Sequence, residues 1–273
     1  MEARSFSLIG KDQSPSEFRL EVKSAIITGG GSGIGRAIAH KFAASGCAVH
    51  IIDISAKDAE AVSAEISSAG GSASAHACDV GNQSEVVARF AEIFQHDRIQ
   101  VLVNNAGISH IGNAENTPEA DFDRVLRVNV KGFYNCIYAT VGHMKGNGGG
   151  VILNMASVAG SAGLQDRFAY STSKGAVIAM TYSVARDYLP FKIRCNCISP
   201  GRVHTPFVDG YLRKTYPGRE QEMYDKLAKT QPIGRMAEPD EIATLALFLC
   251  SDSSAFITGT DYLIDGGFMN LHG

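Results

Sequence analysis

Short apolar runs of strand length alternate along the chain with longer stretches of helical periodicity. The runs are rich in β-branched residues and bounded by turn signals, which is typical of buried strands. They fall at residues 24–28, 48–53, 73–77, 99–103, 151–155 and 261–264. Helical patterns fall at residues 36–44, 58–69, 83–94 and 240–250, and further helices begin near residues 121 and 170. This alternation predicts an α/β fold with a mostly parallel sheet.

The composition is that of one ordinary globular domain. The chain has 273 residues, of which 45% are hydrophobic and 19% are charged, so it can bury one sizeable core. Residues 1–20 mix charges with short apolar pieces and lack the apolar segment of a signal peptide. We therefore expect a loosely held N-terminal arm over residues 1–20 and a single domain over residues 21–273.

Charge and cysteine usage restrict the partners and the compartment. The net charge of −3 gives no electrostatic footprint for nucleic acid, and no apolar run approaches the ~18 residues that a membrane span needs. The six cysteines show no zinc-binding spacing, and the eight histidines form no cluster that suggests a metal site. We expect a cytoplasmic protein with reduced, buried thiols and no bound metal.

A glycine-rich turn stands between the first predicted strand and the first predicted helix. Its spacing is Gly29-x-x-x-Gly33-x-Gly35, which differs from the G-x-G-x-x-G of the common dinucleotide fingerprint. Glycines let a backbone approach a phosphate closely, and a helix N-terminus offers free N–H groups. A flexible turn is the alternative, but the strand–turn–helix context favours a phosphate site.

An acidic residue, Asp53, ends the second predicted strand. It lies about 20 residues past the glycines, where a carboxylate can accept hydrogen bonds from the hydroxyls of an adenosine ribose. Its charge would also repel a 2′-phosphate, and neither Ser32 nor Ile54 is a cation that would attract one. Asp53 therefore predicts NAD rather than NADP, with a solvated strand-end acid as the alternative.

Tyr170 and Lys174 are four residues apart and would lie on the same face of a helix. A buried ammonium beside a phenol favours the phenolate, so the pKa of Tyr170 is expected to fall from its ordinary value near ~10. Tyr170 could then act as a general acid/base. Because this spacing occurs often by chance, a surface tyrosine beside a solvated lysine is the alternative.

Further motifs occur in one order from the first strand almost to the end of the chain. They are Thr28-Gly29-x-x-x-Gly33-x-Gly35, Asp79-Val80, Asn104-Asn105-Ala106-Gly107, Asn129, Ser157, Tyr170-x-x-x-Lys174, Pro200-Gly201 and Asp265-Gly266-Gly267. Together they resemble the short-chain dehydrogenase/reductase family over about 250 residues. The resemblance implies a single Rossmann-type doubly wound domain, with helices on both faces of a mostly parallel seven-stranded sheet.

The resemblance also implies roles for the matched residues. Tyr170 would be the general acid/base, and Ser157 would orient the substrate oxygen. Lys174 would hold the nicotinamide ribose and lower the pKa of Tyr170, and Asn129 would hold a proton-relay water. Tyr170 and Lys174 would also contact the cofactor. The other implied NAD-binding residues are Gly29, Ser32, Gly33, Ile34, Gly35, Asp53, Asp79, Val80, Asn105, Ala106, Gly107, Pro200, Val203 and Thr205.

Within that resemblance, different parts of the cofactor are assigned to different residues. Asp79 and Val80 would bond the adenine, and residues 105–107 would line the two riboses. Val203 and Thr205 match the loop that holds the nicotinamide carboxamide.

Residues 201–239 are polar, contain several prolines and resemble the substrate loop of the family, a lid over the site. Arg202 and His204 lie in this loop, and Arg167 lies three residues before Tyr170. Arginine is suited to two-pronged binding of a carboxylate. We therefore predict that these three residues bind substrate, together with Ser157 and Tyr170.

The main alternative for Arg167 is a structural ion pair, with Asp166 or Asp187 as the acidic partner. That arrangement would remove its guanidinium from the substrate pocket. The two possibilities differ in what surrounds the guanidinium, which the structure can show.

The predicted reaction is reversible hydride transfer between NAD and a small polar secondary alcohol or ketone, such as a hydroxy acid or a 2-keto-3-deoxy sugar acid. Residues 229–268 also resemble sugar, sugar-acid and hydroxy-acid dehydrogenases of the family. A neutral sugar or polyol dehydrogenase is the first alternative. A 3-oxoacyl-carrier-protein reductase and a non-catalytic NAD-sensing protein are the others. The resemblance implies a homotetramer.

Overall fold

Seven strands form one sheet in the order β3-β2-β1-β4-β5-β6-β7. The computed structural model describes residues 18–20 and 23–271. Its strands are β1 (Ser24–Thr28), β2 (Ala48–Asp53), β3 (Ser72–Ala77), β4 (Ile99–Asn104), β5 (Gly150–Met155), β6 (Ile193–Pro200) and β7 (Asp261–Ile264). Each of the six pairings between these strands is parallel, so the sheet is parallel throughout rather than mostly parallel.

The strand order reverses at β1, which lies between β2 and β4. Ile26 of β1 pairs with His50 of β2 on one side and with Leu102 of β4 on the other. Chain segments that leave the carboxyl ends of β1 and β4 therefore diverge and open a crevice. Ligands of doubly wound sheets bind in such a crevice.

Helices cover both faces of the sheet. The α-helices are α1 (Gly33–Ala44), α2 (Ala56–Ser68), α3 (Gln83–Phe94), α4 (Glu119–Leu126), α5 (Gly132–Gly146), α6 (Phe168–Tyr188), α7 (Pro206–Thr215), α8 (Glu220–Ala228) and α9 (Pro239–Cys250). A five-residue π-helical segment, Arg127–Lys131, joins α4 to α5. Single 3₁₀ turns lie at Val158–Gly160, Leu189–Phe191 and Asp252–Ser254.

The two helical layers bury their apolar faces on opposite sides of the sheet. One core is formed by α1, α2 and α9 packed on the strands, and Phe42 of α1 is fully buried in it. The other core is formed by α3, α5 and α6, with Phe90 of α3 fully buried. Apolar positions on one face of each helix explain this arrangement, because each face needs a layer to pack against.

Part of the predicted N-terminal arm packs on the domain. Residues 1–17 lie outside the described residues, but Leu20 is fully buried and its N–H donates to the carbonyl of Ser45. The ring of Phe18 meets that of Phe248 edge to face. At least the end of this segment is therefore held by the core rather than loose.

The described part of the chain bears on three predictions, which concern membrane spans, metal sites and cysteines. Among residues 18–20 and 23–271, no helix is long and apolar enough to cross a membrane. Within the same residues, no group of histidine, cysteine or acidic side chains is arranged to hold a metal ion. The six cysteines are free and buried, as the sequence predicts.

Candidate active site

The glycine-rich turn is packed so closely that side chains would not fit. Gly29 has a φ of +64°, and a Cβ there would lie 2.8 Å from the Cα of Ala106. A Cβ on Gly35 would overlap the carbonyl oxygen of Gly29. Because α1 begins at Gly33, the N–H groups of its first turn have no partner within the helix. The turn has the form of an anion-binding cradle.

Thr28 joins the end of β1 to the loop that follows β4. Its hydroxyl accepts hydrogen bonds from the main-chain N–H groups of Asn105 (3.0 Å) and Ala106 (3.1 Å). The Asn105 amide donates in return to the carbonyls of Thr28 (3.1 Å) and Gly29 (3.2 Å). These bonds hold the two strand ends together on either side of the crevice.

Asp53 stands beside the glycine-rich turn, as the sequence predicts. Its carboxylate accepts hydrogen bonds from the N–H groups of Gly31 and Ser55, each at 3.0 Å. A Cβ on Gly31 would lie only 2.9 Å from Oδ2 of Asp53. The negative charge is therefore fixed at the edge of the anion-binding cradle.

The carboxylate of Asp79, in the turn after β3, already has two partners. It accepts a 2.6 Å hydrogen bond from Arg127 and a 2.9 Å bond from the N–H of Gly81. Partial burial acts to raise the pKa of Asp79, but Arg127 and the Gly81 N–H together hold it below its ordinary value. The next residue, Val80, is buried, and its carbonyl accepts a 2.8 Å bond from Asn135 of α5.

Asn129 lies in the π-helical segment and is fully buried. Its Oδ1 accepts from the N–H of Ile108 (2.8 Å), and its Nδ2 donates to the Ile108 carbonyl (2.9 Å) and to Ser173 Oγ (3.0 Å). The amide therefore links the loop after β4 to the helix that carries Tyr170. Irregular π turns inside helices are frequent at functional sites.

Lys174, Tyr170 and Ser157 meet at the carboxyl end of β5. Lys174 is 4% exposed, and its Nζ lies 5.7 Å from the centroid of the Tyr170 ring. Ser157 is hydrogen bonded to Tyr170 through its side chain. A Cβ on Gly107 would lie 3.8 Å from Nζ of Lys174, so the loop after β4 borders the space around this ammonium group.

The predicted fall in the pKa of Tyr170 is wrong for this geometry. Burial raises the pKa of Tyr170, and the Ser157 hydrogen bond and the charge of Arg167 only partly oppose it. Burial also lowers the pKa of Lys174 to about 8, and its ammonium donates to the carbonyl of Met155 at 2.6 Å. Burial disfavours the phenolate, and this effect outweighs the hydrogen bond and the nearby cation.

Arg167 and Arg202 lie in one electrostatic cluster with Tyr211 of α7. Burial lowers the pKa of Arg202 first, the charge of Arg167 lowers it further, and Tyr211 opposes both. Arg202 is anchored by a 2.9 Å bond from its Nε to Thr230. Within the described residues, neither arginine forms an ion pair with a carboxylate, so the pairing of Arg167 with an aspartate is not found.

A backbone bridge sets the position of Arg167. Gly112, in the loop after β4, pairs in parallel with Arg167. Its N–H donates to the carbonyl of Asp166, and its carbonyl accepts from the N–H of Phe168, each at 3.0 Å. The loop that begins at Asn105 is thereby tied to the residues that precede α6.

The predicted lid, residues 201–239, consists largely of the short helices α7 and α8. Thr205 lies over the glycine-rich turn, since a Cβ on Gly33 would be 3.5 Å from its Cγ2. Val203 is buried and forms a parallel bridge with Ala237. Pro200 ends β6.

His204 has partners within the predicted lid that the sequence did not indicate, and its role in binding substrate stays a prediction. Its Nε2 lies 2.9 Å from Oδ1 of Asp209, and its ring meets Tyr224 edge to face. These contacts place it in a groove of about 410 Å³ between α7 and α8. The Asp209 carboxylate, four residues beyond the helix cap in α7, attracts the imidazole, which sequence spacing alone did not suggest.

Two residues of the site were not predicted from the sequence. Arg127 pairs with Asp79 from 48 positions away, and Tyr211 joins the arginine cluster from the lid. Arg127 lies two residues before Asn129, but a regular helix pattern gives no sign of the π turn that carries both. In the sequence, Tyr211 has the pattern of an ordinary aromatic residue on an amphipathic helix, so it was not predicted to belong to the site.

Comparisons with known proteins agree with this geometry. The family model described as enoyl-(acyl carrier protein) reductase matches residues 29–269. A D-threitol dehydrogenase from Mycolicibacterium smegmatis is 38% identical over 253 residues, which cover 92% of this chain and 95% of that enzyme.

Two solved structures have the same fold over nearly their whole length. One is described as an NAD(P)-dependent gluconate 5-dehydrogenase from Beutenbergia cavernae with bound NADP. It is 31% identical, with a TM-score of 0.86, and the match covers 93% of this chain and 99% of that one. The other is L-sorbose reductase from Gluconobacter frateurii with NADPH and L-sorbose, at 26% identity and a TM-score of 0.89, with 93% and 99% covered.

Proposed function

The chain belongs to the short-chain dehydrogenase/reductase family, and on that premise we propose that it is an NAD-dependent oxidoreductase of a small carboxylate-bearing secondary alcohol or ketone. Members of this family bind a nicotinamide cofactor and are oxidoreductases. A sugar acid or a hydroxy acid, including a 2-keto-3-deoxy sugar acid, is the substrate class that we favour. The cytoplasm is the compartment proposed, in keeping with six free, buried thiols.

The residues at the crevice fit a dinucleotide. A Cβ at Gly29 or Gly35 would collide with the surrounding main chain, so only glycine keeps the turn in this shape, and free N–H groups at a helix N-terminus suit a pyrophosphate. Asp53 is fixed beside it by two main-chain N–H groups, which supports recognition of ribose hydroxyls and disfavours a 2′-phosphate. This supports NAD, even though both solved neighbours above contain NADP or NADPH.

The catalytic residues would work on one oxygen of the substrate. When bound, the nicotinamide supplies the hydride acceptor or donor. The Tyr170 hydroxyl would give its proton to a carbonyl oxygen during reduction, and the phenolate would take the proton from an alcohol during oxidation. Ser157 would donate to the same oxygen as charge develops there. Lys174 would add positive charge to the site, and Asn129 would keep the loop and helix aligned.

The observation that carries the substrate assignment is the Arg167–Arg202 cluster, in which neither guanidinium has a carboxylate partner among residues 18–20 and 23–271. Two guanidiniums lie within electrostatic reach of each other, and that of Arg167 also acts on Tyr170. Like charges held together without a carboxylate repel each other, and an anionic substrate group would relieve this. Charge-assisted hydrogen bonds from a guanidinium are strong and directional.

The deciding experiment compares an acid with its neutral analogue, for example gluconate and glucitol. The Michaelis constant for the acid should be the lower one in the wild type, and Arg167→Ala should raise it roughly ten- to a hundredfold. Arg167→Lys should rescue only in part, since an ammonium lacks the planar fork. Arg219→Ala is the matched control, because Arg219 forms a surface ion pair with Glu222.

A neutral sugar or polyol is the second candidate, supported by the similarity to D-threitol dehydrogenase and L-sorbose reductase. Equal Michaelis constants for the acid and the polyol, or no effect of Arg167→Ala, would favour this candidate. A 3-oxoacyl-carrier-protein reductase is disfavoured by Asp53, because those enzymes usually prefer NADP(H). A non-catalytic NAD-sensing protein is disfavoured by the complete set Asn129, Ser157, Tyr170 and Lys174.

A further inference from the structure

We propose that Arg127 is a positioning residue that orients the Asp79 carboxylate for recognition of the adenine amino group. The inference rests on the proposed function, because it takes the turn after β3 as the adenine site. In this proposal Arg127 itself does not contact the cofactor. Its effect is exerted through the carboxylate.

The Asp79 carboxylate is held at both oxygens. Oδ2 accepts a 2.6 Å hydrogen bond from Nη1 of Arg127, and Oδ1 accepts a 2.9 Å bond from the N–H of Gly81. The N–H of Asp79 donates to the Glu85 carboxylate at 2.9 Å. Each oxygen of an ionised carboxylate has a further lone pair to offer a donor. The plane of the carboxylate is therefore set before any ligand arrives.

Gly81 makes room for the arginine. A Cβ at this position would lie 2.6 Å from Nη1 of Arg127 and 3.1 Å from its Cγ and Cζ. The side chain of Arg127 therefore lies across a residue that has no side chain. A substitution at Gly81 would displace the guanidinium from Asp79.

The same helical segment holds the rest of this turn. Asn135 of α5 donates a 2.8 Å bond to the carbonyl of Val80. A Cβ on Gly132 would lie 2.9 Å from Cγ2 of Val80, so the two residues are in close contact. The π segment and the start of α5 thus fix the turn at Asp79 and Val80 together.

Orientation, rather than ionisation, is the contribution of Arg127. Carboxylates titrate near pH ~4 without any partner, so Asp79 is an acceptor at neutral pH with or without the arginine. The ion pair is also half-exposed, and such pairs add little to stability. Together with the Gly81 N–H, the arginine fixes the direction of the carboxylate oxygens, so that a free lone pair can face a donor such as the adenine 6-amino group.

The experiment measures dissociation constants by fluorescence titration of NADH and of reduced nicotinamide hypoxanthine dinucleotide, which lacks the 6-amino group. The variants are Arg127→Ala, Arg127→Lys and Asp79→Asn. Arg124→Ala is the matched control, since Arg124 and Arg127 are both 47% exposed and each pairs with an aspartate. Melting curves establish that each variant is folded.

Wild type and Arg124→Ala should prefer NADH over the hypoxanthine analogue by roughly ten- to a hundredfold. Arg127→Ala and Asp79→Asn should narrow that preference to within about threefold, mainly by weakening NADH, and Arg127→Lys should be intermediate. An equal loss of affinity for both dinucleotides in Arg127→Ala would overturn the proposal. An unchanged preference for NADH over the analogue in Arg127→Ala and Arg127→Lys would also overturn it. A wild type that binds neither dinucleotide would instead overturn the proposed function, and the inference with it.

Discussion

The ammonium group of Lys174 donates a 2.6 Å hydrogen bond to the carbonyl oxygen of Met155, the last residue of β5. This hydrogen bond gives the buried ammonium a polar partner. Burial nevertheless lowers the pKa of Lys174 to about 8. A lysine with a folded-state pKa below its ordinary value binds fewer protons when folded. The charge that serves the site therefore reduces the stability of the fold at neutral pH.

Replacing Lys174 by methionine should make the protein more stable and less active. The free energy of unfolding at pH 7 should rise by about 2 kcal/mol, after the loss of the Met155 bond offsets part of the gain. The stability of the wild type should rise with pH between about 8 and 10.5, and the variant should lack this rise. Urea denaturation at pH 7 and pH 9.5 measures both effects, with Lys57→Met, an exposed lysine of α2, as the control. Lower stability of Lys174→Met at both pH values would contradict the prediction.

Tyr170→Phe should leave NADH binding nearly intact and lower kcat by at least ~10²-fold, the usual scale for one general acid/base. Because burial raises the pKa of Tyr170, oxidation by the wild type should become faster as the pH rises into the alkaline range, whereas reduction uses the protonated form. Fluorescence titration with NADH and rates across pH measure these effects. Near-normal turnover of the variant would remove Tyr170 from the mechanism.

Asp53→Ala should weaken NAD binding and narrow the preference for NAD over NADP. The reason is the loss of a fixed carboxylate that accepts ribose hydroxyls and repels a 2′-phosphate. Dissociation constants for NADH and NADPH test this, with Glu60→Ala on the exposed face of α2 as the control. If the wild type already binds both equally well, the role given to Asp53 is wrong.

Acid should destabilise the fold through two histidines on neighbouring strands. Nδ1 of His50 lies 3.1 Å from Nε2 of His76, and Asp97 is 3.4 Å from the other nitrogen of His50. Burial first, then the charges of His50 and Arg89, lower the pKa of His76 to about 4, with Glu92 opposing them. Burial also lowers the pKa of His50, with Asp97 opposing it, so both rings are mostly neutral in the fold at pH 7.

The free energy of unfolding should accordingly fall as the pH drops from about 6.5 toward 4, because the unfolded chain takes up protons that the fold excludes. His76→Leu should lose less stability than the wild type between pH 7 and pH 5. Denaturation curves at these two pH values give the comparison. A parallel loss in both proteins would assign the acid sensitivity to other groups.

The chain should form a homotetramer, with a dimer as the second possibility. Aromatic side chains on the outer faces of α5 and α6 are unusually exposed, among them Tyr134, Tyr138, Phe168 and Tyr182. A groove of about 680 Å³ runs along the π segment beside Tyr134. Sedimentation should give the mass of four chains, and Tyr138→Glu should shift the distribution toward smaller species. A stable wild-type monomer at micromolar concentration would contradict this.

Sequence patterns predicted the regular elements well where burial alone determines them. The strands Ser24–Thr28 and Asp261–Ile264 and the helix Gln83–Phe94 occur with the predicted bounds. The cofactor-side motifs converge because the carboxyl ends of parallel strands share one edge, which the alternation of elements already implied.

Features that depend on contacts between distant residues could not be predicted from local sequence patterns. The π segment exists where Asn129 reaches Ile108 and Ser173, and no local pattern encodes those bonds. The raised pKa of Tyr170 follows from the burial of its hydroxyl in the site, and the partner of His204 follows from the turn into α7. In each case the residue type was identified, but its surroundings were not.

The π-helical segment Arg127–Lys131 makes chain length, as well as residue identity, a requirement of this protein. A π turn contains one more residue than an α-turn would in the same place. Deleting one of its residues would turn it into an ordinary α-turn, in which the side chains of the segment point in other directions. The side chains of Asn129 and of Arg127, the partner of Asp79, could then not both keep their present directions. Single-residue deletions should therefore be far less tolerated here than in the exposed turns of the lid, whatever the deleted side chain.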